Sequence, residues 1–261
     1  MFRALHVAAT GMSAQETHLE GVSNNIANAN TVGFKKQRVE FQDLLYQTVR
    51  AAGAPTGPGM QAPSALQFGT GVRVSGTARS FTQGTVQNTG NALDVAIEGR
   101  GWLVVSRPDG SQAFTRAGTL RTDGEGRLVN DEGYPLDPPI TIPPDATGVS
   151  IGHDGTVSVT TPADPTPVEV GKLSIAVFVN DAGLQALGHN LFAASAASGD
   201  PQIGDPGTDG RGTLLGGAVE QSNVDVVEEM IGLIAAQRGY EINSRVIAAA
   251  DEMLRAATQL R

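Results

Sequence analysis

Apolar positions near the start of the chain recur by alternating threes and fours. Phe2, Leu5, Ala9, Met12, Glu16, Leu19, Ser23 and Ile26 fall in one stripe of a helix, and only Glu16 and Ser23 break its apolar character. The spacing predicts a helix over residues 2–28, roughly 40 Å long at about 1.5 Å per residue. Near the other end Val226, Leu233, Tyr240, Ile247 and Leu254 recur every seven residues, with Ala236, Ala250 and Ala257 beside them. Ile242, Val246, Met253 and Leu260 form a neighbouring stripe. Ser222 or Asn223 is the expected cap of this second helix, and Asp225, Glu228 and Glu229 suit the positive end of its dipole. Glu241 with Arg245 and Asp251 with Arg255 stand four apart, acid first, which adds helix stability. Phe2, Leu5, Met12, Leu19 and Ile26, with Val226, Leu233, Tyr240, Ile247 and Leu254, are the candidate assembly seam. Stripes this narrow are too thin to hold a lone helix in water and call for a partner helix. Periodicity alone leaves two partners equally open: further copies of the chain, or ordinary packing on the central region.

Between the helices the period shortens. Val72–Thr77, Trp102–Ser106, Ala113–Thr115, Arg127–Asn130, Thr156–Thr161 and Leu173–Val179 read as short strands. Pro108-Asp109-Gly110, Asp123-Gly124 and Asp154-Gly155 read as hairpin turns between strands. An all-β module is therefore expected. Residues 51–71 hold Gly53, Pro55, Gly57, Pro58, Gly59, Pro63, Gly69 and Gly71, and are expected to form an extended loop.

Composition sharpens this picture. All 14 prolines lie between Gln47 and Gly207, so both helical ends are free of them. The longest apolar runs, such as Ile231–Ala236, fall far short of the roughly 20 residues a membrane span needs. A net charge of −9, with no basic cluster larger than Lys35, Lys36 and Arg38, argues against nucleic acid and anionic membranes as partners. With no cysteine, disulfides, zinc fingers and thiol nucleophiles are excluded. A single Arg3 before a short apolar stretch interrupted by His6 is not the pattern of a cleavable secretory signal, so the first residues are expected in the mature protein.

Candidate chemistry is thin. His6, His18, His153 and His189 show no metal-ligand spacing. Ser13 follows Gly11 but lacks the second glycine of a nucleophile elbow, and the Asp/Gly turns lack the alternating acids of a calcium loop. Asp94, Glu98 and Arg100 near the single Trp102 can be drawn as a carbohydrate site, although a lone tryptophan in a β module is far more often core. No catalytic residue, cofactor or metal is expected. The rival from another class is a secreted β-rich binding module or glycosidase flanked by helices.

The end of the first helix is unusual. Ser23-Asn24-Asn25-Ile26-Ala27-Asn28-Ala29-Asn30-Thr31-Val32-Gly33-Phe34-Lys35 crowds asparagine where helices stop, with Gly33 free to take positive φ. This stretch, with Asn24, Asn25, Asn28, Asn30, Gly33 and Phe34 as its signature, closely resembles the bacterial flagellar axial proteins of rod and hook. Arg38–Thr48 resembles the distal rod branch, Leu93–Trp102 with Phe114–Gly118 the β module, and Ser222–Ser244 the C-terminal helix. Gly239 stands where the family commonly has alanine, and Trp102 where it usually has phenylalanine. The resemblance covers nearly the whole chain in order.

It implies mixed α and β architecture: coiled-coil-like terminal helices (1–34 and 222–261) forming an inner layer, an extended connection (35–71), and an outer β domain (72–221). It further implies a helical homopolymer in the periplasm-spanning rod, exported by a type III route. The implied partners are proximal rod proteins, the hook protein and the L and P rings, with a proximal rod or hook protein as the alternative within the family.

Overall fold

The computed structural model describes residues 2–57, 60–162 and 166–259; Leu260, Pro58, Gly59 and the side chain of Ala257, all named above, lie outside that description. The architecture is mixed α and β, with a helix at each end and a β-rich centre. Two units emerge. One gathers Met1–Ala27, Gln37–Ala78 and Asp225–Arg261, the other Asn28–Lys36 and Arg79–Val224.

In the first unit α1 spans Phe2–Ala27 and α2 spans Val226–Gln259. Both run through proline-free sequence, so their backbone ladders are uninterrupted. The cap of α2 differs from the expected Ser222 or Asn223. Asp225 Oδ1 accepts from the amides of Val227 and Glu228, at 2.8 and 3.2 Å. A charged acceptor suits the positive helix end better than a neutral one, and the Asn223 side chain is engaged elsewhere.

The strand-bearing stretch of this unit also departs from expectation. Gln37–Asp43 pairs with Val72–Arg79, Gln47–Arg50 runs antiparallel to Leu66–Phe68, and Pro55–Gly57 pairs with Met60–Gln61. The supposed loop over residues 51–71 thus carries paired strands. Gly53 works as a turn residue: it takes φ 77° and donates to Ala62 O at 2.9 Å, while Ala62 N returns a bond to Ala54 O.

The second unit is built on a six-stranded antiparallel sheet. Its order is Gln185–Gly188, Leu191–Ala193, Gln112–Thr115, Trp102–Ser106, Ile175–Val177, Gln202–Gly204. Three further strands, Gly148–Ile151, Thr156–Thr160 and Val168–Lys172, form a smaller sheet. One face packs Val95, Ile97, Leu103, Val105, Leu128, Ile175 and Leu214, and the other an aromatic group of Trp102, Phe114, Phe178 and Phe192. Hydrophobic burial on both faces of the strand Trp102–Ser106 explains its unbroken apolar run. The expected Asp turns close hairpins: Asp109, Asp123 and Asp154 each accept backbone amides from residues two positions on.

Candidate functional site

The two helices lie against each other in opposite directions. Asn25 meets Glu229, Val22 faces Gly232, Gln15 faces Gly239 and Asn243 faces Gly11. Small residues let the backbones approach: a Cβ built on Gly11 would stand 2.9 Å from Asn243 Nδ2. Ala8, Ala14, Val22, Asn25, Glu229, Ala236 and Ala250 are the buried positions of the two helices. Within it Asn25 acts as a short piece of strand. Its Oδ1 accepts from Gln37 N at 2.9 Å, and its Nδ2 donates to Gln37 O at 2.8 Å and to Glu229 Oε2 at 3.0 Å.

The intrachain contact therefore lies about one residue around α1 from the apolar stripe. Ala8, Gln15 and Val22 carry it, whereas Ala9, Glu16 and Ser23 are exposed. None of the candidate seam residues is buried. Leu5, Met12, Leu19, Ile26, Leu233, Ile247 and Leu254 are half-buried, and Phe2, Val226 and Tyr240 are exposed. With them, Val227, Met230, Ile231, Ile234 and Ile242 leave α2 apolar over much of its free surface. The strand segment of the same unit adds Phe41, Leu45, Tyr46, Val49, Met60, Leu66 and Phe68, with Leu45 91% exposed. Apolar surface of this extent on one unit marks an interaction surface.

The signature residues divide between the two units. Asn25 belongs to the helical contact, while Asn28 accepts from the Thr31 hydroxyl at 3.1 Å and opens the turn that leaves the helix. Asn24 and Asn30 are exposed. Gly33 (φ 70°) passes so close to Arg116 and Ala117 that a Cβ would come within 2.5 Å of Ala117 N. Phe34 is buried beneath the Arg79 guanidinium.

Beyond it lies a charged group the periodic pattern gave no reason to expect. The Lys35 ammonium is fully buried, 2.6 Å from Glu220 Oε1 and 2.7 Å from Thr82 O. Glu220 Oε2 receives Arg116 Nη1 at 3.0 Å. Burial lowers the Lys35 pKa, Glu220 pulls it upward through charge and hydrogen bond, and Arg116 lowers it further. The only sequence signal was the Lys35 that ends the signature; its partners Glu220 and Thr82 are 185 and 47 positions away, beyond any local pattern.

The candidate catalytic residues are placed elsewhere and do not converge. Trp102 is 1% exposed and donates Nε1–H to Asp181 at 3.2 Å, so its face is closed to a sugar ring. Asp94 is held by Thr89 and Asn91, and Arg100 pairs with Asp181. His18 stacks edgewise on Phe41, His153 contacts Leu214 O and His189 contacts Glu132. Among the described residues, no three histidines or carboxylates gather as a metal site, and no helix is long and apolar enough to cross a membrane.

A helix pair with wide uncovered apolar faces, joined to a β unit, has the build of a subunit that associates with further protein. Comparison with known proteins gives the class its name. Residues 5–35 match the family described as flagella basal body rod protein, 96–159 the flagellar hook protein FlgE/F/G D1 domain, and 215–260 the flagellar basal body rod FlgEFG protein C-terminal region. The chain is 48% identical to the flagellar basal-body rod protein FlgG of Caulobacter vibrioides, with 99% of each covered. It is 43% identical to that of Borreliella burgdorferi (100% and 99% covered) and 39% identical to that of Bacillus subtilis (100% of each). The chain belongs to the FlgG family of flagellar basal-body rod proteins, and is a structural subunit, not an enzyme.

Proposed function

We propose that the chain polymerises into the distal part of the rod, a hollow helical shaft that carries torque from motor to hook. Its paired terminal helices pack in a coiled-coil-like layer around a central channel, with the β units forming the wall. The observation that carries this reading is the uncovered apolar surface of α1, α2 and residues 41–68, which in water favours burial against further copies. A head-to-tail contact that does not close into a ring generates an open helical filament, the geometry a shaft requires. The other partners proposed are proximal rod proteins below, hook protein above and the L and P rings around. The rod spans the periplasm, and the subunit reaches it by type III export.

Leu5→Asp and Leu254→Asp test this directly. Each sets a charge among the half-buried seam positions, where desolvating it on assembly is costly. The β unit of either variant should melt as in the wild type while filaments vanish from electron micrographs. Normal rods from either variant would overturn the reading.

A further inference from the structure

The chain passes between its two units four times, at residues 27–28, 36–37, 78–79 and 224–225. On the β-unit side, three of these passages are fastened together. Lys36 N donates to Asn223 Oδ1 at 2.7 Å, and Asn223 Nδ2 donates to the carbonyls of Ser80 (2.8 Å) and Thr82 (3.1 Å). Ser80 N donates to Lys36 O, and Gly33 N to Glu220 O. Glu220 lies at the centre with both side-chain oxygens used: Oε1 receives Lys35 and the Gly84 amide, and Oε2 receives Arg116, which also reaches Gly99 O.

Stability alone gives little reason for such an arrangement. A buried ion group is often no more stable than an apolar one of equal volume, and its removal in part is severe. What it supplies is direction and simultaneity. Lys35, Glu220 and Arg116 are shielded from water, so their bonds are not exchanged one at a time for solvent. They join strands far apart in sequence at the points where the backbone leaves the β unit.

We infer that Lys35, Glu220, Arg116 and Asn223 form a load-bearing clasp, which makes the incoming and outgoing strands resist a pull together and not peel off singly. Its use in transmitting torque rests on the rod reading above. Its existence does not.

The chain lacks cysteine, so two thiols can be placed at exposed positions, Ser13→Cys on α1 and Asp200→Cys on the β unit, and the full-length monomer pulled between them. With the clasp intact, residues 28–36 should stay attached until the β unit yields as a whole. Lys35→Met or Glu220→Gln should split that event in two, with an earlier rupture at lower force that lengthens the chain by this segment. Fluorescence of the buried Trp102 reports whether each variant is folded. Should the charge variants fail to fold, Asn223→Ala decides, since it keeps the three charges and severs only the link to residues 36, 80 and 82. A folded variant that ruptures like the wild type overturns the clasp. An unmutated chain that forms no filaments while the clasp event is intact would overturn the rod reading alone.

Discussion

Gly33 occupies a position where backbone conformation and space both exclude a side chain. Its φ of 70° lies in the left-handed region, and a Cβ there would press on the backbone of Arg116 and Ala117. Gly53 has nearly the same φ, 77°, but open space around it. The pair separates strain from collision. Gly53→Ala should cost about 1 kcal/mol, the usual penalty of positive φ for a side chain. Gly33→Ala should cost several-fold more, because rigid backbone must move. Thermal unfolding followed by Trp102 fluorescence would measure the second; equal losses at the two sites would contradict this account.

At the scale of elements, the helix contact is set by small residues. A Cβ on Gly239 would meet Gln15 at 3.1–3.3 Å, close but against a flexible side chain that can turn aside. Alanine is favoured over glycine in a helix by up to about 1 kcal/mol. Gly239→Ala should therefore raise the stability of the helical unit slightly, read as a higher midpoint in helical circular dichroism. The hairpins respond to pH. The Asp109 carboxyl is held below its ordinary value of 3.8 by hydrogen bonds from Ser111, and Asp154 likewise by Thr156. At Asp123 desolvation works the other way, but bonds from Arg127 and Glu125 outweigh it. A depressed folded pKa adds stability that is present above the unfolded value and lost as pH falls through the folded one. The β unit's melting temperature should thus fall below pH 3.8, less steeply with Asp109, Asp123 and Asp154 all changed to Asn.

These same elements show what a sequence can disclose. Helix limits and Asp/Gly turns are written in local patterns, and the turns closed where expected. The face used was harder to read. Glu229, Ala236, Asn243 and Ala250 also recur every seven residues, but their size and polarity hide them beside Leu233 and Ile247. Periodicity reports that a helix needs a partner; it does not say which stripe serves the chain's own second helix and which stays open. Lys35, Glu220 and Arg116 were illegible because no local rule links positions so far apart.

For the whole molecule, the division into units separates folding from assembly. The segment containing Pro55–Gly57, Met60–Gln61 and Leu66–Phe68 belongs to the helical unit and has most of its large apolar side chains exposed. Deleting residues 57–67 should leave the β unit's unfolding unchanged but alter the straightness or stiffness of assembled rods in electron micrographs. A β unit that no longer folds would count against this separation.

The bond between Asn25 and Glu229 joins residues 204 positions apart. Contacts of such long range form late, after the loop between them is closed. In a chain emerging from one end, α1 stays without its companion until α2 arrives, while most of the β unit, drawn from Arg79–Val224, already has its own neighbours. The order of emergence thus becomes the timer for building: a subunit acquires its helical pair only after the residues of the β unit have been delivered.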